Sequence, residues 1–377
     1  MDWGPWLRRW SEEWVSVAEE RELDPEVARE RWLGFPPATE EAVAAVEARL
    51  ERRLPPSYRD FLLTTDGWRH AGQFVWRLRD TSDVDWLSVL EPFWEESWEG
   101  FDEDLSPEGE SYFSRGLLIS RDADAGILFL DPGDVDENGE WAAYSLFSWR
   151  AEPPTRFPSF TALMEDLYAE FHQMRKPAGE TRDLWDAEVE RARLLALAGE
   201  VDEAESILRK ADEFGRVRAT VLLVQLLLLQ DRHYEAGTLV GRLLYPSFAP
   251  DDFYTDPLFT EELLPWLLFR ETLPGRNSIL RTALYGEQLE LRRALAIAEK
   301  AGPPTFGNPE FDALVRQALA GDPDAVWPSV QAALAQWRPR TADHIAPIAL
   351  LTDPVVASTL TAERGRALLS QPRSLTD

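Results

Sequence analysis

The chain has 377 residues, of which 44% are hydrophobic and 11% aromatic, so it is long enough for two domains and is not a disordered protein. It contains no cysteine, which excludes a disulfide framework, thiolate metal sites and a cysteine nucleophile. The net charge of −29 disfavours nucleic acid and anionic membranes as direct partners and is compatible with a basic protein partner.

Two further features of the sequence concern its location. No apolar run approaches the roughly 20 residues that are needed to span a bilayer. The start, Met-Asp-Trp-Gly-Pro-Trp, lacks the basic residues and apolar core of a signal peptide. We therefore expect a soluble protein of the cytoplasm.

Residues 1–35 are predicted to form a helical lead-in. Its apolar residues recur at steps of three and four, which places them on one helical stripe: Trp3, Trp6, Trp10, Trp14 and Val17. Interfacial membrane helices are usually cationic on the opposite face, whereas acidic residues outnumber basic ones here. We expect this stripe to pack against the body of the protein or against a partner protein.

The next stretch, from Gly34 to Gly67, predicts two consecutive helices. Thr39 is a good N-cap for the first, which Leu54-Pro55-Pro56 ends, and Ser57 is a candidate cap for the second. Gly67 is expected to follow the second helix in a left-handed conformation. The diagnostic positions of this stretch are Leu54, Pro55, Ser57, Tyr58, Phe61, Leu62, Asp66 and Gly67.

This ordered set resembles the SUKH superfamily, the Smi/Knr-like domain. Members open with a short helix, followed by a Leu-Pro-x-Ser/Asp-Tyr motif and a helix that ends in Asn/Asp-Gly. The resemblance extends from residue 36 to about residue 172 and does not cover the remaining chain. It implies a mixed sheet packed by a few helices.

Residues 36–175 are predicted to form this α+β domain. Strand-like runs occur at 73–78, 117–120, 127–130 and 141–149, and the last three are joined by short turns that favour an antiparallel meander. Ser159 is expected to cap a final helix with a single apolar face.

Residues 180–377 are predicted to form a separate all-α domain. Helix-like segments pair at 187–199 with 202–214 and at 217–230 with 234–244. The Glu-Ala pairs at 203–204 and 235–236 repeat at a spacing close to the 34 residues of tetratricopeptide helix pairs. Two units suggest repeats of this kind without establishing a solenoid.

A search for catalytic and metal-binding motifs predicts no enzyme, no cofactor and no metal. The chain lacks the common nucleotide-binding, nucleophile and zinc motifs, and its four histidines are far apart in sequence. The run Asp134-x-Asp136-x-Asn138-Gly139 matches the start of a calcium loop, but Ser145 stands where the bidentate glutamate belongs. Asn-Gly between two strand-like runs favours a hairpin turn instead.

The negative charge is concentrated in residues 80–140, which hold 19 acidic and two basic residues, a net charge of −17. Aromatic residues alternate with these acids, as they do in protein interfaces, although they could equally fill the core while the acids form a solvated coat. The candidate partner-binding residues are Asp83, Asp85, Trp86, Trp94, Glu95, Glu96, Trp98, Glu99, Asp102, Glu103 and Asp104.

The resemblance implies a protein-binding function. Bacterial SUKH members are commonly immunity proteins that neutralise toxins, many of them nucleases, and fungal relatives are regulatory interaction proteins. An acidic face would be attracted to the basic cleft of a nuclease and could occupy its phosphate sites. The alternative is an intracellular regulator or scaffold that binds an unrelated partner through its helical C-terminal domain.

Overall fold

The computed structural model describes residues 1–98, 111–273, 278–285, 288–300, 302–322 and 325–373. The chain forms two compact units, Met1–Arg182 and Asp183–Asp377. Within the described ranges, all strands belong to the first unit, and the second is built from helices and turns. No helix in these ranges is long and apolar enough to cross a membrane.

The first unit contains eight described helices and the start of a ninth. Their bounds are α1 Trp3–Val17, α2 Pro25–Glu30, α3 Glu40–Leu50, α4 Pro56–Thr64, α5 Leu87–Leu90, α6 Phe93–Trp98, α7 Tyr112–Arg115, α8 Phe160–Arg175 and α9 Glu180–Ala198. The strands are β1 Trp68–Arg69, β2 Val75–Leu78, β3 Asp85–Trp86, β4 Leu117–Leu118, β5 Ser120–Ala123, β6 Gly126–Val135, β7 Trp141–Phe147 and β8 Thr155–Phe157.

The strands form two antiparallel sheets, with the orders β1-β2-β5 and β3-β4-β6-β7-β8. The longest pairing, β6 with β7, places Phe129 opposite Tyr144. The hairpin between these strands turns at Asn138-Gly139, where Gly139 has a φ of +83°. The predicted α+β class and the antiparallel meander are therefore confirmed.

The two helices of the Gly34–Gly67 stretch form as predicted, but one of the expected caps is wrong. The Thr39 hydroxyl accepts a hydrogen bond from the Ala42 amide at 3.2 Å and so caps α3. Ser57 does not cap α4, because that helix already begins at Pro56, a residue that suits the first helical position since it has no amide hydrogen to satisfy. Ser57 instead donates to Glu140 from both its amide, at 2.8 Å, and its hydroxyl, at 2.6 Å.

The tryptophan stripe of α1 packs inside the first unit. The Trp3 ring lies 5.5 Å from Phe61 of α4, and the Trp10 ring lies 5.9 Å from Trp68 and 6.5 Å from Phe171 of α8. These tryptophans are buried, with at most 4% of their surface exposed. The lead-in therefore covers an aromatic face of the α+β fold.

A buried polar cluster fixes the other side of α1. The Glu13 carboxylate accepts hydrogen bonds from the Tyr168 hydroxyl and, at 3.1 Å, from the Thr181 amide, and it lies 2.9 Å from His172 Nε2. Burial raises the pKa of Glu13, but the hydrogen bonds from His172 and Tyr168 outweigh burial and leave the pKa below its ordinary value. Glu13 is therefore an ionised, buried acceptor that joins α1 to α8 and to the first turn of α9.

The second unit contains the rest of α9 and the remaining helices. They are α10 Val201–Glu213, α11 Val217–Leu229, α12 His233–Leu243, α13 Leu264–Glu271, α14 Ile279–Ala283, α15 Leu289–Ala298, α16 Pro309–Leu319, α17 Val326–Ala333, α18 Pro354–Thr359 and α19 Ala362–Leu369. The bounds of α9, α10, α11 and α12 overlap the four predicted helical segments. Helix α11 is the centre of the core, since all its residues from Ala219 to Leu229 are buried.

The end of α11 lies directly against α19. Gly365 of α19 faces the carbonyl oxygen of Leu229, and a Cβ atom at this glycine would overlap that oxygen. Close helix contacts of this kind depend on a residue that has no side chain.

Candidate partner-binding site

Most of the predicted partner-binding residues lie in the segment from Asp80 to Trp98, which the structure describes. It carries six acidic residues and no lysine or arginine. It includes β3, α5 and α6, and it follows directly on the loop that leaves β2. Its geometry therefore decides which acids are presented to a partner.

The loop that opens the segment is held by Asp66 of the Asp-Gly motif. The Asp66 carboxylate accepts hydrogen bonds from the Thr81 amide at 2.7 Å and from the Thr81 hydroxyl at 2.8 Å. Burial raises the pKa of Asp66, and the neighbouring carboxylates of Asp80 and Asp83 act in the same direction. This motif residue thus has a structural role, because it fixes the start of the acidic segment.

Asp83 is largely neutralised by arginines. Its Oδ2 lies 3.3 Å from Arg79 Nη1 and 3.2 Å from Arg121 Nη1, and its Oδ1 accepts from the Asp80 amide at 2.9 Å. Its side chain is about a quarter exposed. Asp83 therefore contributes more to the shape of the loop than to a negative surface.

Asp85 and Trp86 form the edge strand β3 and are half-buried. Arg49 of α3 donates to the Val84 carbonyl at 2.6 Å and lies 3.9 Å from Asp85, so α3 holds this edge in place. Asp85 also accepts from the Trp86 amide at 2.8 Å. Asp85 keeps part of its carboxylate at the surface beside α5.

Trp94 lies in the core rather than on the surface. Only 8% of it is exposed, it packs in the cluster that includes Leu87 and Phe113, and its indole N–H donates to Glu91 at 2.9 Å. The neighbouring Phe93 points outward with 66% of its surface exposed. The two aromatic neighbours therefore have opposite roles.

The segment exposes two large apolar side chains as well as acids. Val89 is 65% exposed and Phe93 is 66% exposed, whereas Glu96 is exposed and Glu95 half-exposed. We refer to Asp85, Val89, Phe93, Glu95 and Glu96 as the 85–96 surface. An apolar centre with a polar rim is the usual arrangement of a protein interface.

Several predicted site residues lie outside the described residues. Trp98 is the last residue of α6, and its side chain is among those not described. The others are Glu99, Asp102, Glu103 and Asp104. Val89 was not among the predicted site residues, because Pro92 separates two very short helices and no helical period indicates which side chains are exposed.

The calcium-like run from Asp134 to Gly139 is a turn that Asp136 stabilises from within and that Arg156 of β8 stabilises through Asp134. Asp136 accepts from the amides of Asn138 and Glu140 at 2.8 and 2.9 Å, and Asp134 binds Arg156 through two contacts of 2.6 and 2.9 Å. The ion pair with Arg156 holds the pKa of Asp134 below its ordinary value. Both carboxylates thus have protein partners, as the hairpin interpretation requires.

We expect chelators to leave the thermal stability of the protein unchanged. The carboxylates of the calcium-like run are occupied by Arg156 and by backbone amides, and in the described ranges no three His, Asp or Glu side chains converge on a common point that could hold a metal ion. The test is a pair of thermal melts with and without EDTA. A fall in the melting temperature on chelation would contradict this expectation, since a metal bound only to the native state adds stability.

The comparison with known families finds a match within the first unit. The family model of the SMI1 / KNR4 family (SUKH-1) matches residues 37–166, so this segment is a SUKH-1 domain. The matched residues include all the motif positions from Leu54 to Gly67 and the whole 85–96 surface. No curated protein and no solved structure matches the chain.

The family defines the general class of activity. SUKH-1 domains are protein-binding folds and are generally not enzymes. For residues 37–166 the family thus implies the protein-binding class.

Proposed function

We propose that this protein is an immunity-type protein that binds and neutralises a basic toxin, such as a nuclease, through the 85–96 surface. The observation that carries the proposal is the exposure of Val89 and Phe93 in a segment that also presents Glu95 and Glu96 and contains no lysine or arginine. Both apolar side chains lie on a domain whose family binds proteins.

Charge and apolar contact are proposed to act on different steps of binding. Long-range attraction between an acidic surface and a basic cleft accelerates association, and the apolar residues then slow dissociation by leaving water. Phe93 is the candidate anchor, since a phenylalanine ring buries a large area when it enters a pocket. Glu96 follows Phe93 by three residues on α6, a spacing that places two side chains on one helical face, and Glu95 and Glu96 supply the charge that pairs with cationic groups of the partner.

The partner is to be isolated first, by affinity capture from the native host and mass spectrometry. Association rates are then measured at low and high salt for the wild type and for the double variant Glu95→Gln/Glu96→Gln. We expect the low-salt rate of the variant to fall by about three- to tenfold and the difference to shrink at high salt, because screening removes the attraction.

The matched control is Glu137→Gln/Glu152→Gln, which removes the same net charge from exposed positions outside the 85–96 surface. The proposal requires this control to associate faster than the test variant. Equal rates for the two variants would mean that only total charge matters, and the binding surface would then lie elsewhere.

Neutralisation itself is tested by the activity of the captured toxin. Wild-type protein should abolish that activity, and Phe93→Ser should weaken binding by about tenfold or more, as the loss of an interface anchor does. If the captured partner is not a toxin, the alternative of an intracellular regulator or scaffold is favoured. A toxin gene immediately upstream of the gene for this protein would favour the immunity-type function.

A further inference from the structure

The second unit contains a cavity of about 500 Å³ that the proposed function does not use. Its lining includes Pro265, Leu268 and Phe269 of α13 together with Pro303 and Pro304. A volume of this size lies in the range of ligand-binding cavities in proteins.

The backbone beside this cavity is irregular. Residues Phe259–Leu263 form a π-helical turn, in which the Leu264 amide donates to the Phe259 carbonyl, five residues earlier. Such turns occur frequently at functional sites. Here the turn separates two neighbouring glutamates: Glu262 is fully buried, while the side chain of Glu261 is 49% exposed and lines the cavity.

Three of the four threonine hydroxyls in the cavity lining act as hydrogen-bond acceptors, whereas the Thr305 hydroxyl accepts from Arg340 and keeps its own hydrogen. Thr260, Thr272 and Thr352 each donate their hydroxyl hydrogen to a backbone carbonyl, at 3.1, 2.7 and 2.7 Å, which leaves only lone pairs for a ligand. The lining prolines contribute no amide hydrogen. A ligand that supplies hydrogen-bond donors suits such a wall.

One end of the cavity presents the half-exposed carboxylate of Glu261, which is bound to Arg340. Arg340 donates from Nε to Glu262 at 2.7 Å, from one terminal nitrogen to Glu261, and from the other to the carbonyl and hydroxyl of Thr305 at 3.0 and 2.8 Å. Most of its donors are therefore used within the protein. Glu262 is fully buried beside Arg340 and His344, whose Nε2 lies 3.6 Å from it, so Glu261 is the carboxylate of this pair that reaches the cavity.

We propose that this cavity is a second binding site, which takes a short segment of a partner protein with a lysine or arginine between apolar residues. The apolar residues of that segment would contact Leu268, Phe269 and Pro303, and its cation would bind Glu261 and the threonine oxygens. This site goes beyond the toxin-binding proposal, because it lies in the helical unit and uses none of the 85–96 surface.

The test uses the full chain and an acetylated tripeptide amide of the sequence leucine-arginine-phenylalanine as the probe, with binding measured by calorimetry. Two matched peptides carry citrulline or glutamate in place of arginine. We expect the citrulline peptide to bind about tenfold more weakly than the arginine peptide, since it loses a charge-assisted hydrogen bond, and the glutamate peptide to show no binding at about 1 mM.

Matched variants locate the binding. Glu261→Gln should weaken binding of the arginine peptide by about tenfold, whereas Glu271→Gln, an exposed glutamate of α13 outside the lining, should not. Ala298→Trp should block the cavity, and Ala296→Trp, on the exposed side of α15, is its control. Circular dichroism of each variant confirms that it is folded.

Three outcomes would overturn the inference. They are the absence of binding by the arginine peptide, equal binding of the arginine and glutamate peptides, and unchanged affinity in both Glu261→Gln and Ala298→Trp. Arginine amide alone is a further probe, and binding as tight as that of the tripeptide would assign the cavity to a small organic cation instead of a protein segment. Phe93→Ser should leave peptide binding intact, so failure of this site and failure of the toxin-binding proposal are separate results.

Discussion

Replacing Glu13 with alanine is expected to lower the free energy of unfolding by about 3–5 kcal/mol, as the removal of one partner from a buried charged cluster does. The substitution leaves the Tyr168 hydroxyl, His172 Nε2 and the Thr181 amide without the carboxylate that they contact. Since domains are typically stable by only about 5–15 kcal/mol, this is a large fraction of the total. Urea unfolding followed by tryptophan fluorescence measures it, and Glu13→Gln is the milder variant if the alanine variant does not fold.

The neighbouring Glu12→Ala is the matched control for this prediction. Glu12 is exposed on the same helix, so its substitution should change the stability by no more than about 0.5 kcal/mol. A loss of the same size in both variants would mean that Glu13 is not a special position.

The pH dependence of the stability of the Glu13→Gln variant follows from the pKa of Glu13. The folded-state pKa lies below the ordinary value, so the carboxylate contributes stability that is fully present above the unfolded pKa of about 4.3 and is lost as the pH falls through the folded pKa. The difference in the free energy of unfolding between wild type and Glu13→Gln should therefore be constant near neutral pH and shrink in acid. A difference that grows on acidification would contradict the ionised state of Glu13.

Replacing Gly365 with alanine is the second substitution for which we expect a large loss. Helix propensity alone predicts that alanine stabilises a helix interior by about 1 kcal/mol relative to glycine. The structure predicts the opposite sign, because the new Cβ would overlap the Leu229 carbonyl oxygen, and overpacking of this kind costs about 1–3 kcal/mol or more. Urea unfolding of the variant gives the sign directly.

Gly321→Ala is the control for this substitution. A Cβ at Gly321 would meet its nearest neighbour, the Ala318 carbonyl, at 3.4 Å, which is an ordinary contact. This variant should be as stable as the wild type within about 0.5 kcal/mol. If Gly365→Ala is equally harmless, α19 can move away from α11 at little cost.

The sequence predicted those parts of the fold that depend on local signals. Thr39 and Ser159 cap their helices as expected, because a hydroxyl just before an apolar helical period is a local feature. The Asn138-Gly139 turn was predictable for the same reason, since it depends on residues that tolerate a positive φ. The motif from Leu54 to Gly67 sufficed to recognise the family.

What could not be predicted depends on contacts between distant parts of the chain. Ser57 binds Glu140, which lies 83 residues away, and so loses its expected role as a cap. Phe93 and Trp94 are adjacent aromatic residues, and only the packing of α6 determines that Trp94 is buried and Phe93 exposed. The acceptor character of the cavity in the second unit depends on the directions of three threonine hydroxyls, for which the sequence has no signal.

The packing of α1 also has a consequence for synthesis of the chain on the ribosome. Glu13 and its partner Thr181 are 168 residues apart, and the aromatic partners Phe160 and Phe171 are made almost as late. At a translation rate of about 5–20 residues per second, α1 waits roughly 10–30 s before these last partners are made. During that interval Trp3 and Trp10 have only their early partners Phe61 and Trp68, so the nascent chain offers the uncovered part of a tryptophan-rich helix to the chaperones that act at the ribosome exit.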